Sequence, residues 1–468
     1  MLFNSLQFAV FFALTLLLYR NLPRRWRNPV LLGASLVFYT LWIPPYLLLL
    51  LSDICVNYAL LRAMQRSRKP RLYLVSAIVF TLGLLGGFKY AALAVETVAP
   101  LLRAGFGFEP PLPEIFLPLG ISFYSFQILA LTIDCYRGNI EPPRSLGRYA
   151  LFVSFFPQLI AGPILRGSDL LPQLARGGRT SPERTRRGLW LLASGMTKKV
   201  VLADFLLSGY VNDVFSVPEV GGVPIHLVAL WSFAFQIYFD FSGYTDMARG
   251  LALLMGFELP FNFLEPYLAR NPAEFWRRWH ITLSRWLGDY LYIPLGGNRR
   301  GMSRTYANLM LTMLLGGLWH GAAWNFVVWG GLHGLLLVIH RRFGSRSGDI
   351  RAPFSAGDVF RIVLLFNAVS VIWVFFRAPS FESAWIFLSA PFEGAAEFGW
   401  PLMQTSIVAL CGLLHVAERL VRVHLPEIQA FLARAWWGAI AEGLAMGSLV
   451  ALTVAASGVG VEFIYFQF

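Results

Sequence analysis

The stretch LLGGLWHGAAWNFVVWGGLHG, from Leu314 to Gly334, decides the fold and raises the question of function. It is apolar enough to lie in a lipid bilayer, yet it contains two histidines, His320 and His333, which are costly to place there. The triplet Gly321-Ala322-Ala323 separates two apolar arms and predicts a helical hairpin. His320 precedes this turn and is therefore predicted to lie at the end of a helix.

Composition places the rest of the chain in a membrane as well. Hydrophobic residues make up 56% of the 468 residues, and charged residues make up only 14%. Apolar runs of about 18 residues or more, enough for a helix to cross the hydrocarbon core, recur along the chain. Such runs suit helices rather than the alternating strands of a barrel. We therefore predict an all-α polytopic membrane protein with about 11–13 transmembrane or re-entrant helices.

The net charge of +13 arises from basic residues in short loops, as the positive-inside rule requires, and does not indicate nucleic-acid binding. The first apolar segment, 2–19, is followed rather than preceded by basic residues, which predicts a retained helix with an external N-terminus. Twelve crossings from an external N-terminus are predicted, which places the C-terminus outside as well. The basic loops, predicted to be cytoplasmic, are 20–28, 62–71, 166–187, 277–304 and 341–351.

Residues 149–165 do not fit a simple crossing. They are apolar, but Pro157, Gly162 and Pro163 interrupt any helix there. Both flanks are predicted to be cytoplasmic, so we expect a re-entrant segment. Irregular backbone at membrane depth is tolerated only where protein or a water-filled cavity surrounds it.

The segment 188–208 contains Lys198, Lys199 and Asp204 in its middle, where charge is costly in lipid. Either the segment starts deeper in the cytoplasm than its hydropathy indicates, or the lysines face a polar cavity. Asp240, in the long segment 226–256, has no basic residue nearby in sequence. It needs a partner from another helix, or a proton. Asp240 is predicted to lock helices together or to orient a histidine or a substrate.

The stretch NPAEFWRRWHITLSRWLGDYL predicts an amphipathic interfacial helix over 272–292, with Asn271 as N-cap, Pro272 in the first turn and Glu274 completing a capping-box-like start. On a helical wheel, one face carries Trp276, Trp279, Leu283, Trp286, Leu287 and Tyr290, and the other carries Arg278, Thr282, Arg285 and Asp289. His280 falls on the aromatic side. A histidine in this position is usually structural.

The two histidines of the opening stretch differ. His320 is predicted to lie within or near the bilayer, where a neutral imidazole can take a proton from a hydroxyl nucleophile. His333 lies among Gly330, Gly331 and Gly334, which allow helices to approach closely, so we interpret it as a packing residue.

Taken together, RNPAEFWRRWHITLSRWLGDYLYIPLGGNR and GGLWHGAAWNFVVWGGLHG resemble the membrane-bound O-acyltransferase (MBOAT) family, within it the bacterial alginate O-acetyltransferase membrane-subunit branch. LFNSLQFAVFF, YFDFSGYTDMARG and EFIYFQF extend the resemblance over essentially the whole chain. It implies one integral-membrane domain over 1–468, in which a ring of helices surrounds a thin centre between a cytoplasmic funnel and an external opening. It further implies that His320 is the catalytic histidine and His280 a second polar active-site position. Trp279, Trp319, Asp240 and Lys199 are expected to line or support the substrate channel.

The resemblance implies transfer of an acetyl group from a cytoplasmic thioester toward an exported, alginate-like polysaccharide, with a histidine as general base or in a covalent step. The donor is expected to be acetyl-CoA or another acyl thioester, with no permanently bound cofactor and no metal. The expected partners are a periplasmic or membrane-anchored acetyltransferase and an acyl carrier protein, in the bacterial inner membrane. Peptidoglycan, teichoic acid and cellulose remain alternative acceptors.

The aromatic tail, residues 459–468, is predicted to be external. It is expected either to anchor the chain at the membrane interface or to place Tyr465 in the external opening, where its phenol could carry the acyl group transiently.

The residues alone, without the resemblance, leave two other classes of protein possible. The intramembrane charges would also suit a transporter or an export channel, but no matching pair of broken segments occurs in the two halves of the chain. A non-catalytic scaffold for a secreted acetyltransferase requires that both His280 and His320 be dispensable.

Overall fold

The computed structural model describes residues 3–113, 115–344, 354–393, 399–458 and 463–464. These residues form helices joined by turns and irregular segments, and none of them lies in a β-strand. The predicted all-α class is therefore confirmed. The chain is an all-α polytopic membrane protein.

The chain folds as two compact units. The single integral-membrane domain predicted over 1–468 stays a prediction. The first unit comprises residues 1–192 and 245–260, and the second comprises residues 193–244 and 261–468. Composition does not reveal this division, because two of its boundaries fall inside long helices and no Pro- or Gly-rich linker marks them.

The first unit is built mainly from the helices of the N-terminal part of the chain. These are α1 (Leu6–Asn21), α2 (Arg24–Thr40), α3 (Tyr46–Arg66), α4 (Pro70–Lys89), α5 (Ala91–Phe106), α6 (Ile121–Tyr136), α7 (Leu146–Ser154), α8 (Gly167–Arg176) and most of α9 (Pro182–Met196). The predicted interruption at 149–165 is confirmed, because α7 ends at Ser154 and residues 155–165 are buried and irregular. Their re-entrant position in the membrane stays a prediction.

The second unit holds the remaining helices. A π-helix over Thr197–Leu207 precedes α10 (Ser208–Ser216) and α11 (Val223–Leu254), whose last turns belong to the first unit. The others are α12 (Pro272–Arg278), α13 (Ile281–Leu287), α14 (Met302–His320), α15 (Trp324–Phe343), α16 (Ala356–Arg377), α17 (Phe381–Glu393), α18 (Leu402–Val423), α19 (Leu425–Arg434) and α20 (Gly438–Ala455). A 3₁₀ turn over Pro266–Leu268 and a π-helix over Gly288–Tyr292 complete the list.

Five of the described helices are both long enough and apolar enough to cross a bilayer. They are α3, α4, α11, α16 and α20. The 16-residue helix α1 is apolar but shorter. The total number of crossings, their arrangement around a thin centre and the orientation of the termini stay predictions.

The single amphipathic helix predicted over 272–292 is wrong in its middle. α12 ends at Arg278, α13 begins at Ile281, and a π-helix follows from Gly288. Arg278 and Thr282, both predicted on the polar face, are buried. Arg278 pairs with Glu274, and the Thr282 hydroxyl, after the break, donates to Asn262. The predicted start of this helix is confirmed, because the Asn271 side chain caps α12 by accepting a hydrogen bond from the Glu274 amide at 2.9 Å.

The hairpin predicted from the opening stretch is confirmed as α14 and α15, joined at residues 321–323. Glycines allow its arms to touch along their backbones. A Cβ at Gly317 would overlap the carbonyl oxygen of Phe326, and a Cβ at Gly330 would overlap that of Met313. This close contact fixes the position of His320, the last residue of α14.

We expect Gly330→Ala to destabilise the protein by about 1–3 kcal/mol or more, because the added methyl group cannot fit without separating α14 from α15. Thermal unfolding in detergent measures the change. Gly83→Ala is the matched control, since a Cβ there meets no atom within 4 Å, and the helix propensity of alanine favours it. Equal unfolding temperatures for the two variants would contradict the close contact.

Candidate active site

His280 lies at the break between α12 and α13. Its backbone adopts the left-handed conformation, with a φ of 40°. Glu265, which also has a φ of 40°, is the other non-glycine residue in the described part of the chain with a positive φ. Residues held in this conformation are strained, and they often occur at functional sites, where the surrounding contacts determine them.

The side-chain oxygen of Asn262 stabilises this break. It accepts hydrogen bonds from the Thr282 amide at 3.2 Å and the Thr282 hydroxyl at 2.9 Å, and it lies 3.1 Å from Nδ1 of His280. Ile281 donates its backbone N–H to the Asn262 carbonyl at 2.9 Å. Because the Thr282 amide can only donate, the Asn262 atom must be the oxygen, and Nδ1 of His280 therefore carries a proton.

His280 is held as a neutral imidazole. It is fully buried, and burial lowers its pKa to about 3. With the proton on Nδ1, the lone pair of the neutral ring lies on Nε2. This nitrogen can accept a hydrogen bond from a hydroxyl or thiol group.

The fold brings His280 and His320 together. Their ring centroids lie 6.4 Å apart at an interplanar angle of 60°. Trp319 lies against both rings, 5.9 Å from that of His280 and 5.0 Å from that of His320. His320 is only 4% exposed. The sequence placed the two histidines at different depths, and only the structure shows that they converge.

Further aromatic rings enclose the two histidines. His320 contacts Trp329 at 4.9 Å and Phe376 at 5.3 Å between centroids, and His280 contacts Phe241 at 4.8 Å. These contacts are edge-to-face, the arrangement that aromatic quadrupoles favour. The rings restrict the rotation of both imidazoles and exclude water around them.

Trp279 and His333 support the site through packing. Trp279 is fully buried and lies 4.9 Å from the Trp373 ring, so its place is in the core that supports the site. His333 packs against two tryptophan rings in edge-to-face contacts, 4.7 Å from Trp329 and 5.0 Å from Trp276. Within the described residues Nε2 of His333 has no hydrogen-bond partner.

Lys199, Asp204 and Asp240 form a buried charged cluster in the same unit. Nζ of Lys199 lies 2.9 Å from Asp204 and 2.8 Å from Asp240. The π-helix over Thr197–Leu207 aligns residues five apart, which places Asp204 beside Lys199. Lys198 pairs with Glu418 at 2.5 Å. Of the two alternatives open for Asp240, a basic partner from another helix or a proton, the structure shows the partner, Lys199.

Asp240 also binds the end of the described chain. Its second carboxylate oxygen accepts a hydrogen bond from the Ile464 amide at 2.8 Å. Phe463 stacks on Tyr244 at 4.8 Å and lies 6.0 Å from Phe241, the residue that contacts His280. Asp240 thus locks elements together, and the structure shows no contact from it to either histidine. Tyr465 and the rest of the predicted tail, apart from Phe463 and Ile464, lie outside the described residues.

A buried ion pair fixes the start of α12. Arg278 donates to Glu274 at 2.6 and 3.0 Å, and Arg270 donates to the same carboxylate at 2.9 Å. Burial alone would raise the pKa of Glu274, but the hydrogen bonds from these arginines hold it below its usual value. Arg278 also donates to the Leu264 carbonyl at 3.1 Å. This contact ties α12 to the segment that carries Asn262.

Several residues of the site were not predicted from the sequence. Asn262 and Trp329 are the most important, together with Phe241 and Phe376. A lone asparagine between phenylalanines, as in PFNFL, was a usable signal for a buried polar anchor. The aromatic residues gave no such signal, because the whole chain is rich in them. No group of three or more His, Cys, Asp or Glu side chains suited to a metal ion occurs in the described ranges.

Known proteins resemble this chain over most of its length. The sequence model of MBOAT, the membrane-bound O-acyltransferase family, matches residues 114–381, a range that includes both histidines. A probable alginate O-acetylase of Pseudomonas aeruginosa is 41% identical over 422 residues, covering 88% of this chain and 78% of that protein. A peptidoglycan O-acetyltransferase of Helicobacter pylori is 38% identical over 391 residues, covering 77% and 72%. A teichoic acid D-alanyltransferase of Streptococcus thermophilus is 29% identical over 245 residues, covering 47% and 56%.

An all-α membrane protein with two buried histidines and this pattern of similarity is a multi-pass membrane enzyme that transfers acyl groups to oxygen. The chain belongs to the membrane-bound O-acyltransferase family. The resemblance seen in its motifs is thereby confirmed.

We expect Glu274→Gln to destabilise the protein by about 3–5 kcal/mol, because Arg278 would remain buried with only the more distant carboxylate of Glu265, at 3.9 Å, as a charged partner. Thermal unfolding at neutral pH measures the loss. Glu109→Gln is the control, since Glu109 and its partner Arg103 are both exposed, and we expect no measurable change there. A Glu274→Gln variant as stable as the control would disprove the anchoring role of the ion pair.

Proposed function

We propose that this enzyme transfers an acetyl group from a cytoplasmic thioester, through its buried histidine pair, to an exported polysaccharide outside the membrane. The observation that carries the proposal is the convergence of His280 and His320, 6.4 Å apart in a buried aromatic cluster. A separation of this size lets both imidazoles contact one small acyl group. The donor is acetyl-CoA or another acyl thioester, supplied directly or by an acyl carrier protein.

His320 acts as the general base in this proposal. Its imidazole takes the proton of an acceptor hydroxyl while the oxygen attacks the thioester carbonyl carbon. The carbon–sulfur bond then breaks, and the leaving thiolate receives the proton from the imidazolium. His280 has the proton on Nδ1 and a lone pair on Nε2, which suits it to hold a substrate hydroxyl or thiol rather than to stabilise an oxyanion.

The acceptor is proposed to be an alginate-like polysaccharide, in line with the name of the Pseudomonas relative. Peptidoglycan is the second candidate, because the Helicobacter relative is a peptidoglycan O-acetyltransferase of nearly equal identity. The enzyme is proposed to lie in the bacterial inner membrane with both termini external, and to work with a periplasmic or membrane-anchored acetyltransferase that determines the acceptor.

The tail is proposed to carry the acyl group outward. Ile464 is bound to Asp240, and its neighbour Phe463 reaches the ring of Phe241, which in turn contacts His280. Tyr465 follows Ile464 in the chain, so its phenol is a candidate for the transient acceptor. In this proposal the Tyr465 phenol is the hydroxyl that attacks the thioester, and the acetyl group then passes to the next acceptor.

We expect His320→Gln to lower O-acetylation of the exported polymer by about 10²–10⁴-fold, the usual contribution of a general base. The O-acetyl content of the polymer is the measurement. His333→Gln is the matched control, since His333 packs in the same aromatic cluster, and it should retain most of the activity. Normal acetylation in the His320→Gln variant would overturn the proposed chemistry.

We expect Tyr465→Phe to abolish acetylation of the polymer while the enzyme remains folded and normally expressed, because only the phenol oxygen is removed. The same polymer assay and a thermal unfolding measurement test this. Tyr136→Phe, at an exposed tyrosine of the first unit, controls for the loss of a phenol. Wild-type acetylation by the Tyr465→Phe variant would disprove the hypothesis that Tyr465 carries the acyl group. The tail would then be interpreted as an anchor at the membrane interface.

A further inference from the structure

The first unit contains a basic cavity of about 610 Å³, within the usual size range of small-molecule sites. Three arginines and four hydroxyl-bearing side chains are among the ten residues that line it, and none of the ten is acidic. All ten belong to the first unit, whereas the two histidines belong to the second. None of the residues assigned to the proposed chemistry lines this cavity.

Tyr19 and Gly178 are the buried residues of its lining. Tyr19 is only 1% exposed, and the backbone of Gly178 lies beside its hydroxyl oxygen, but no described group accepts the hydroxyl proton. A Cβ at Gly178 would overlap the carbonyl oxygen of Met255 and the Tyr19 hydroxyl. A buried hydroxyl of this kind needs a partner, and a bound ligand can supply one.

Arg20 and Arg27 supply positive charge without a matching carboxylate. Neither makes an ion pair with an acidic residue in the described ranges. Arg20 donates one hydrogen bond, at 3.1 Å, to the Leu254 carbonyl, and the Arg27 guanidinium lies 5.4 Å from the centre of the Tyr19 ring. Nε of Arg27 is buried and has no hydrogen-bond partner in the described structure. Guanidinium groups with unmatched charge favour an anion such as phosphate, in which two oxygens can each accept a hydrogen bond.

The start of α9 is a third feature that favours the binding of an anion. Ser181 caps this helix by accepting from the Arg184 amide at 3.2 Å, and Ser181, Pro182 and Thr185 line the cavity. The positive end of the helix dipole therefore lies at the cavity wall. Arg186 also lines the cavity, but it pairs with Glu183 at 3.3 Å, so Arg20 and Arg27 remain as the arginines with unmatched charge.

We propose that this cavity binds a phosphate group, held by Arg20, Arg27 and the Tyr19 hydroxyl at the N-terminus of α9. Arg20, Arg27 and the start of α9 fall within segments 20–28 and 166–187, both predicted to be cytoplasmic, and Tyr19 adjoins the first of them. Two sources of phosphate are available on that side. One is the headgroup of an anionic phospholipid, and the other is the phosphorylated part of an acyl donor such as CoA. The ligand chemistry is the same in both cases.

The test compares the double variant Arg20→Gln/Arg27→Gln with Arg24→Gln/Arg25→Gln, which removes the same charge from exposed neighbours that do not line the cavity. In one arm, thermal unfolding is measured in phosphatidylcholine nanodiscs with and without phosphatidylglycerol. In the other, binding of CoA and of 3′-dephospho-CoA is measured in phosphatidylcholine nanodiscs. Neither arm depends on acetyl transfer.

If the source is a lipid, phosphatidylglycerol stabilises the wild type and the Arg24/Arg25 control but not the Arg20/Arg27 variant. If the source is a donor, the Arg20/Arg27 variant binds CoA at least tenfold more weakly, while the control changes less than twofold. If the double variant fails to fold, the single variant Arg20→Gln, at an exposed position, replaces it in both arms. We expect this variant to show the same change to a smaller extent. Identical behaviour of the cavity variants and the control in both arms would overturn the proposal.

Discussion

The site depends on one side-chain oxygen, that of Asn262. The amide and hydroxyl of Thr282 donate to it, and Nδ1 of His280 lies within hydrogen-bond distance of it. These contacts stop α12 and hold His280 in a conformation with positive φ that an isolated chain would avoid. They also determine which nitrogen of the imidazole carries the proton. A continuous amphipathic helix, by contrast, would place His280 on a regular helical face without this polar anchor.

The second constraint is the close packing of α14 against α15. Gly317 and Gly330 bring the two backbones into contact, and this contact holds the end of α14, with His320, against Trp329. The aromatic rings around both histidines then form a rigid surrounding, and at His280 burial favours the neutral imidazole. The geometry of the histidine pair thus follows from one buried hydrogen-bond acceptor and from two glycines.

Buried charged side chains in the second unit form ion pairs with one another. The Lys199 ammonium is shared between Asp204 and Asp240, and Asp240 has a second oxygen left for the Ile464 amide. The Glu274–Arg278 pair anchors the start of α12 in the same way. Buried pairs of this kind contribute little net stability, but removing one partner strongly destabilises the fold. They therefore hold the segments that they join in place. In this enzyme they hold the break at His280 and the described end of the chain.

The sequence by itself determined the class of the protein, because the length and frequency of apolar runs leave few alternatives to membrane helices. It also determined the hairpin around residues 321–323, the N-cap at Asn271 and the need of Asp240 for a partner from another helix. These features depend on neighbours in the chain or on the cost of burying charge. The tertiary structure alone decided the division into two units, the break at His280 and the convergence of His280 with His320. Each of these depends on contacts between residues far apart in sequence, such as Asn262 with Thr282 or His280 with Trp319, and local sequence patterns do not reveal such contacts.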